Sequence, residues 1–150
     1  MASQVSTNET AYLVGERIRP LVVQAAPYIS PGPSEIVVKN QAVAVNPVGW
    51  FKQYVDNLLL SWIKYPFVLG GDLASEIVEV GKDVTHFKVG DRVMGHAAGM
   101  DEKRNRSSEG AFQQYTVVRE NLAASIPDAL AHEQACVLPL TLTTAATGIF

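Results

Sequence analysis

The chain has 150 residues, 47% apolar and 18% charged, with a net charge of −3. That length can close one core, and the acidic balance offers no basic field for nucleic acid. A lone cysteine, Cys136, excludes an internal disulfide and a cysteine-rich zinc site. No apolar run approaches the ~20 residues of a membrane span, and the polar start MASQVSTNET lacks a signal core, so a cytoplasmic protein is expected.

In chain order, residues 1–9 are expected to be a flexible tail. Residues 11–14 and 18–25 have strand composition, with Gly15-Glu16 between them as a turn. Pro27, Pro31, Gly32 and Pro33 then break regular structure. Residues 35–45 are valine-rich and partly alternate, which predicts a long strand stopped by Asn46-Pro47. Phe51, Tyr54, Val55 and Leu58 recur at helical spacing, so residues 50–60 read as a short amphipathic helix. Residues 74–80 and 92–96 read as strands of a hairpin-like element, entered at Gly70-Gly71 and punctuated by Gly81 and Gly90-Asp91. Residues 97–110 form a polar loop with charge of both signs. Residues 111–118 and 122–126 return as strands. Residues 129–138 read as a helix, interrupted at Pro139, and residues 140–150 as the start of another. Several short strands followed by late helices predict a mainly β fold.

Spacing in the middle of the chain says more. Pro66-x-x-x-Gly70-x-Asp72-x-Ala74 is followed by Val80-Gly81 and then by Val84-x-x-Phe87-x-x-Gly90-Asp91-x-Val93. This pattern resembles the catalytic domain of medium-chain dehydrogenases/reductases, a family that includes zinc alcohol dehydrogenases, quinone oxidoreductases and trans-acting enoyl reductases. The resemblance runs from about residue 10 to residue 150 and is nearest to fungal, alcohol-dehydrogenase-like members. It implies a GroES-like, partly open β-barrel over residues 10–138 with peripheral helices. It also implies that residues 139–150 begin the helix leading to a Rossmann domain. No G-x-G-x-x-G follows a strand in these residues, so the nucleotide-binding half is absent from them.

Further implications of the resemblance concern three places. Zinc-dependent relatives carry a Cys after the long strand and a His in a Gly-His-Glu; here those positions hold Asn46 and Gly71, and only the acidic Asp72 remains. His86, His96 and His132 show no ligand spacing, and residues 97–110 lack the cysteines of a structural zinc lobe. No metal site is expected. Asn46, Pro47, Val48, Gly49 and Trp50 resemble the Asn-Pro-x-Asp-Trp segment that approaches the nicotinamide of NADP, with Gly49 where relatives have Asp. Lys52 would add charge nearby. The plainer alternative is a strand-ending turn with Trp50 and Phe51 in the core. Val137, Leu138, Pro139, Leu140, Thr141 and Thr144 match a segment lining the substrate and nicotinamide cleft. Thr144 is the candidate for contact with the nicotinamide or a substrate carbonyl; the alternative is that the threonines only cap turns. Thr141 and Thr143 are weaker candidates of the same kind.

Other residues receive plain readings. Cys136 reads as a small buried hydrophobe. Lys103, Arg104 and Arg106 read as a solvated loop, or else as a patch steering an anion. Ser75 stands where relatives have glycine. The function these readings support is a zinc-independent, NADPH-linked oxidoreductase, transferring hydride to a conjugated carbonyl compound such as a quinone or an enoyl thioester. Without a metal to hold an alkoxide, an enolate stabilised by hydrogen-bond donors is the more accessible intermediate. The alternatives are a zinc alcohol dehydrogenase and a non-catalytic barrel that binds a small molecule. Exposed apolar residues beyond Pro139 also predict self-association.

Overall fold

A computed structural model describes residues 7–149. The chain is mainly β. Two antiparallel sheets form an open barrel, and the helices lie outside it. The smaller sheet contains β1 (Thr7–Leu13), β2 (Val22–Pro27) and β4 (Phe67–Val68), in the order β2-β1-β4. The larger contains β3 (Glu35–Ala44), β5 (Asp72–Val80), β6 (Arg92–His96), β7 (Tyr115–Arg119) and β8 (Ala123–Ser125), in the order β7-β3-β5-β6-β8. α1 (Pro47–Val55) follows β3, and α2 (His132–Ala135) and α3 (Leu138–Ile149) close the described chain. No helix among the described residues is long and apolar enough to cross a membrane.

The valine-rich run forms β3 because it pairs on both sides, with β5 from Ile36↔Val80 to Ala44↔Asp72 and with β7 from Glu35↔Arg119 to Lys39↔Tyr115. Burial on both flanks suits near-continuous β-branched residues. Ile36, Val38, Leu73, Ile77, Val93 and Val118 of the larger sheet make the main buried cluster. A register shift lies between Asn40 and Ala42. There the Asn40 side chain takes up the irregularity. Its Nδ2 lies within reach of Ala111 O (2.9 Å), Gln113 O (2.7 Å) and Thr116 Oγ1 (2.9 Å). Ser75 is fully buried and donates its hydroxyl to Asn40 Oδ1 at 2.7 Å, so the extra Cβ and oxygen are accommodated and used. Gly70 has φ +98°, and a Cβ there would lie 2.7 Å from the Phe112 ring, so this position demands glycine on two counts.

Several expectations need correction. β1 begins at Thr7, inside the stretch expected to be tail; residues 1–6 lie outside the described residues. β2 begins at Val22, not at residue 18, because Pro20 has no N–H for the ladder. The strand expected over residues 111–118 is irregular until Tyr115. The helix expected over residues 129–138 is one turn, His132–Ala135. Pro139 does not interrupt a helix. It sits in the first turn of α3, where a missing N–H costs nothing.

α1 packs the other way round from its predicted face. Gly49 and Lys52 are buried, whereas Trp50, Phe51, Tyr54 and Leu58 are exposed. Trp50 lies against Tyr54 with ring centroids 4.7 Å apart, and the Arg19 guanidinium sits 3.8 Å above the Tyr54 ring. Trp50 and Phe51 are therefore not core residues. Of the basic residues read as a solvated loop, Lys103 is exposed as expected, but Arg104 and Arg106 are not simply solvated. Arg104 bonds Glu35 (2.7 Å) and Glu109, and Arg106 bonds the same pair at 2.9 and 2.8 Å. Glu109 is almost wholly buried.

Candidate active site

β3 ends at Ala44 and β5 begins at Asp72, which pairs with Ala44 on one side and with His96 of β6 on the other. Asp72 is completely buried. Both carboxylate oxygens are used: Oδ2 accepts from Asn46 Nδ2 at 3.0 Å, and Oδ1 accepts from the backbone N–H of Leu140 at 3.0 Å. The second bond satisfies one of the orphan amides in the first turn of α3. His96 Nδ1 lies 3.7 Å from Asp72 Oδ1, beyond hydrogen-bond range, and is buried without a partner among the described residues. Burial first, then the charge of Asp72, pushes the nearby Cys136 thiol above its ordinary value. Cys136 is thus a protected buried thiol, as its sequence context suggested.

Asn46 is the residue before α1, with extended backbone (φ −91°, ψ 152°). Its carbonyl accepts from the N–H groups of Gly49 and Trp50, and its side chain makes no cap bond. The amide is free to serve Asp72 instead; the residue is half-buried, and its Oδ1 takes no hydrogen bond among the described residues. Pro47 starts the helix and Val48 is half-buried beside it. A Cβ at Gly49 would meet only Phe112, at 4.0 Å, so a side chain fits there and its absence leaves room.

On the other side of Asp72, Leu138, Pro139, Leu142 and Thr143 of α3 line a cavity of about 310 Å³ with Met94 and His96 of β6; residues 46–50 are not part of its lining. Val137 is exposed, and Leu140 is half-buried over Asp72. Thr141 and Thr143 donate their hydroxyls back to Val137 O and Pro139 O, both at 2.8 Å, which is ordinary helical back-bonding. Thr144 is exposed, and its hydroxyl has no hydrogen bond among the described residues. The structure therefore joins Asn46 to Leu140 through Asp72, while Thr144 stands one turn further along the same helix.

Lys52 does not supply a free charge. It is fully buried, and Nζ donates to Asp56 O (3.0 Å), Leu60 O (3.2 Å) and Asn57 Oδ1 (3.4 Å). Burial lowers its pKa, partly opposed by Asp56 and Glu16. Asp72 and His96 are the residues that spacing alone did not reveal as a pair. The one available signal is an acidic residue placed directly before the apolar pair Leu73-Ala74.

The donor set does not suit a catalytic zinc. The amide of Asn46 is engaged, Gly71 has no side chain, and no group of three His, Cys, Asp or Glu residues converges among those described.

Residues 32–128 match the model of the alcohol dehydrogenase GroES-like domain. The chain belongs to this family of medium-chain dehydrogenases/reductases. It is 55% identical over 144 residues to the dehydrogenase pigH of Monascus ruber, covering 96% of this chain and 39% of that protein. It is 42% identical to the trans-enoyl reductase himH of Aspergillus japonicus, covering all of this chain and 42% of that one. The fold matches the quinone oxidoreductase of Coxiella burnetii with a TM-score of 0.80 at 22% identity, covering 95% of this chain and 44% of that one. The chain thus spans less than half the length of these relatives.

Proposed function

We propose that this domain supplies the substrate-side wall of a zinc-independent, NADPH-linked oxidoreductase acting on a conjugated carbonyl compound, a quinone or an enoyl thioester. The observation that carries the reading is the Asn46–Asp72–Leu140 arrangement, which binds the Asn-Pro segment to the start of α3 where zinc-dependent members would hold metal. Asn46 and Gly71 at the ligand positions support the zinc-free branch. The relatives named as a trans-enoyl reductase and a quinone oxidoreductase support the substrate class.

When bound, the nicotinamide supplies the hydride. The protein's part is placement: Asn46 offers a fixed polar edge, Pro47 stiffens its approach, and Trp50 adds apolar surface beside it. Val137 and Leu138 through Leu140 form the opposite side. Thr144 offers a hydroxyl to a substrate carbonyl as negative charge develops there. The pyrophosphate requires a Gly-rich turn at a helix N-terminus, and a downstream Rossmann domain is the partner expected to provide it.

The test follows NADPH absorbance with quinone and enoyl-thioester panels. The chain is assayed alone and fused to the remaining length of the Monascus ruber relative. Turnover is expected only in the fusion, with Asn46→Ala and Thr144→Ala each lowering kcat/KM by about tenfold or more. Elemental analysis is expected to find well under one zinc per chain. Stoichiometric zinc, or loss of turnover on chelation, would overturn the zinc-free reading.

A further inference from the structure

We propose that Asp72 is a positioning residue that dictates which edge of the Asn46 amide faces the cleft. This inference rests on the oxidoreductase reading above only for the identity of the ligand. A carboxylate accepts hydrogen bonds and donates none, whereas a carboxamide has one accepting and one donating edge. Asp72 is wholly buried, and its Oδ2 is 3.0 Å from the Asn46 amide nitrogen. The orientation with Nδ2 toward Asp72 is therefore the only one that forms a bond. Turning the amide over would set two oxygens against each other at a wholly buried carboxylate.

The consequence appears at the other edge of Asn46, whose Oδ1 takes no hydrogen bond among the described residues. With Nδ2 committed inward, Oδ1 is held outward as a fixed acceptor. The group it recognises must carry a hydrogen-bond donor, such as the carboxamide N–H or a ribose hydroxyl of a nicotinamide cofactor. Asp72 is itself held from the other side. Its Oδ1 accepts the Leu140 N–H at 3.0 Å, and the start of β5 is paired to both β3 and β6. One buried carboxylate thus sets the polarity of one wall and the seat of the other. The two are 26 and 68 residues away from it in sequence.

An exchange of the two side chains separates this role from simple stability. Asp72→Asn keeps an acceptor for Leu140 N–H and turns its own NH₂ toward Asn46, which must then flip and present its donor edge outward. Combining D72N with N46D restores an oxygen on the outward edge of position 46 while keeping both internal bonds. NADPH affinity in the fusion protein is expected to fall about tenfold or more in D72N and to recover most of that loss in the double variant. Equal weakness in both variants, or unchanged affinity in D72N, would overturn the proposal. Amide exchange measured by NMR on the 150-residue chain reads the same contacts without any activity. Leu140 N–H is expected to exchange at least tenfold faster in D72A than in the wild type, and the Asn46 side-chain NH₂ likewise. No change there, with the fold intact by circular dichroism, also overturns it. Absence of NADPH binding by the wild-type fusion, with both exchange effects present, would refute the oxidoreductase reading and leave the Asp72 arrangement standing.

Discussion

Two polar regions of this domain are sealed inward, and two apolar ones are left outward. Residues 97–110 carry Arg104, Arg106 and Glu109, yet these charges close on one another and on Glu35 at the edge of β3. The side chain of Lys52 disappears into the turn after α1 and satisfies its carbonyls. By contrast, the rings of Trp50, Phe51 and Tyr54 and the length of α3 face solvent, and α3 meets the barrel chiefly through its first turn. The difference teaches that burial follows the partners a segment finds, not its hydropathy. A charge with two or three oriented acceptors is worth enclosing. An apolar helix face without a surface to meet stays open.

If that contrast is real, removing a sealed charge must cost far more than removing open apolar surface. The largest effect is expected from Glu109→Ala. It strips two partly exposed arginines of a shared carboxylate that is itself almost wholly buried, and a loss of about 3 kcal/mol is expected. Denaturant titration of the variant against the wild type measures it, and a loss below about 0.5 kcal/mol would mean the lobe is held by something else. Lys52→Met comes next. It keeps much of the buried stem but leaves Asp56 O and Leu60 O without a donor, at about 2 kcal/mol. Relief of the buried charge works in the opposite direction, so a stabilised variant would show that desolvation outweighs the three bonds.

The sequence carried the barrel well and the sealed polar regions poorly, for a physical reason. β3, β5 and β6 announce themselves through alternation and through Gly70 and Gly90, both of which do adopt positive φ. Those are local signals. The spacing of Phe51, Tyr54 and Leu58 suggests a core face, but helical spacing says only that residues share a side, not which side finds the barrel. The buried side belongs to Gly49 and Lys52, and a lysine is the least expected occupant. The Arg–Glu network depends on Glu35 meeting Arg104 from 69 residues away, which no local pattern encodes. In the site, the family-like spacing found Asn46 and the start of α3. What joins them is a single carboxylate whose role appears only once β5 is placed between β3 and β6.

A smaller effect is expected from pH. Burial alone would raise the Glu35 carboxyl, but the Gly32 N–H and the two arginines outweigh it and hold it below its ordinary value of 4.5. A carboxylate depressed in the folded state contributes stability that is present above its unfolded pKa and is lost as pH falls through the folded one. The stability that Glu35 contributes should therefore be held from neutral pH down to about 4.5 and be lost below it. Glu35→Gln should reduce the slope in that acid range and lower the neutral plateau. A variant with the same acid slope as the wild type would remove Glu35 from the sealed network.

The smallest effect on stability is expected from the open side. Deleting residues 141–150 removes most of α3 but leaves Leu140 and its N–H bond to Asp72. The residues removed are exposed wherever they are described, Leu142 and Ile149 among them, so little apolar burial is lost with them. The denaturation midpoint should shift by less than about 1 kcal/mol in stability, against about 3 for Glu109→Ala. Association should respond in the opposite proportion. The intact chain is expected to self-associate through this surface at high concentration, and the shortened chain to sediment as a monomer. A large stability loss on truncation would show that α3 is part of the core. A monomeric intact chain at the same concentration would show that its apolar face needs no cover.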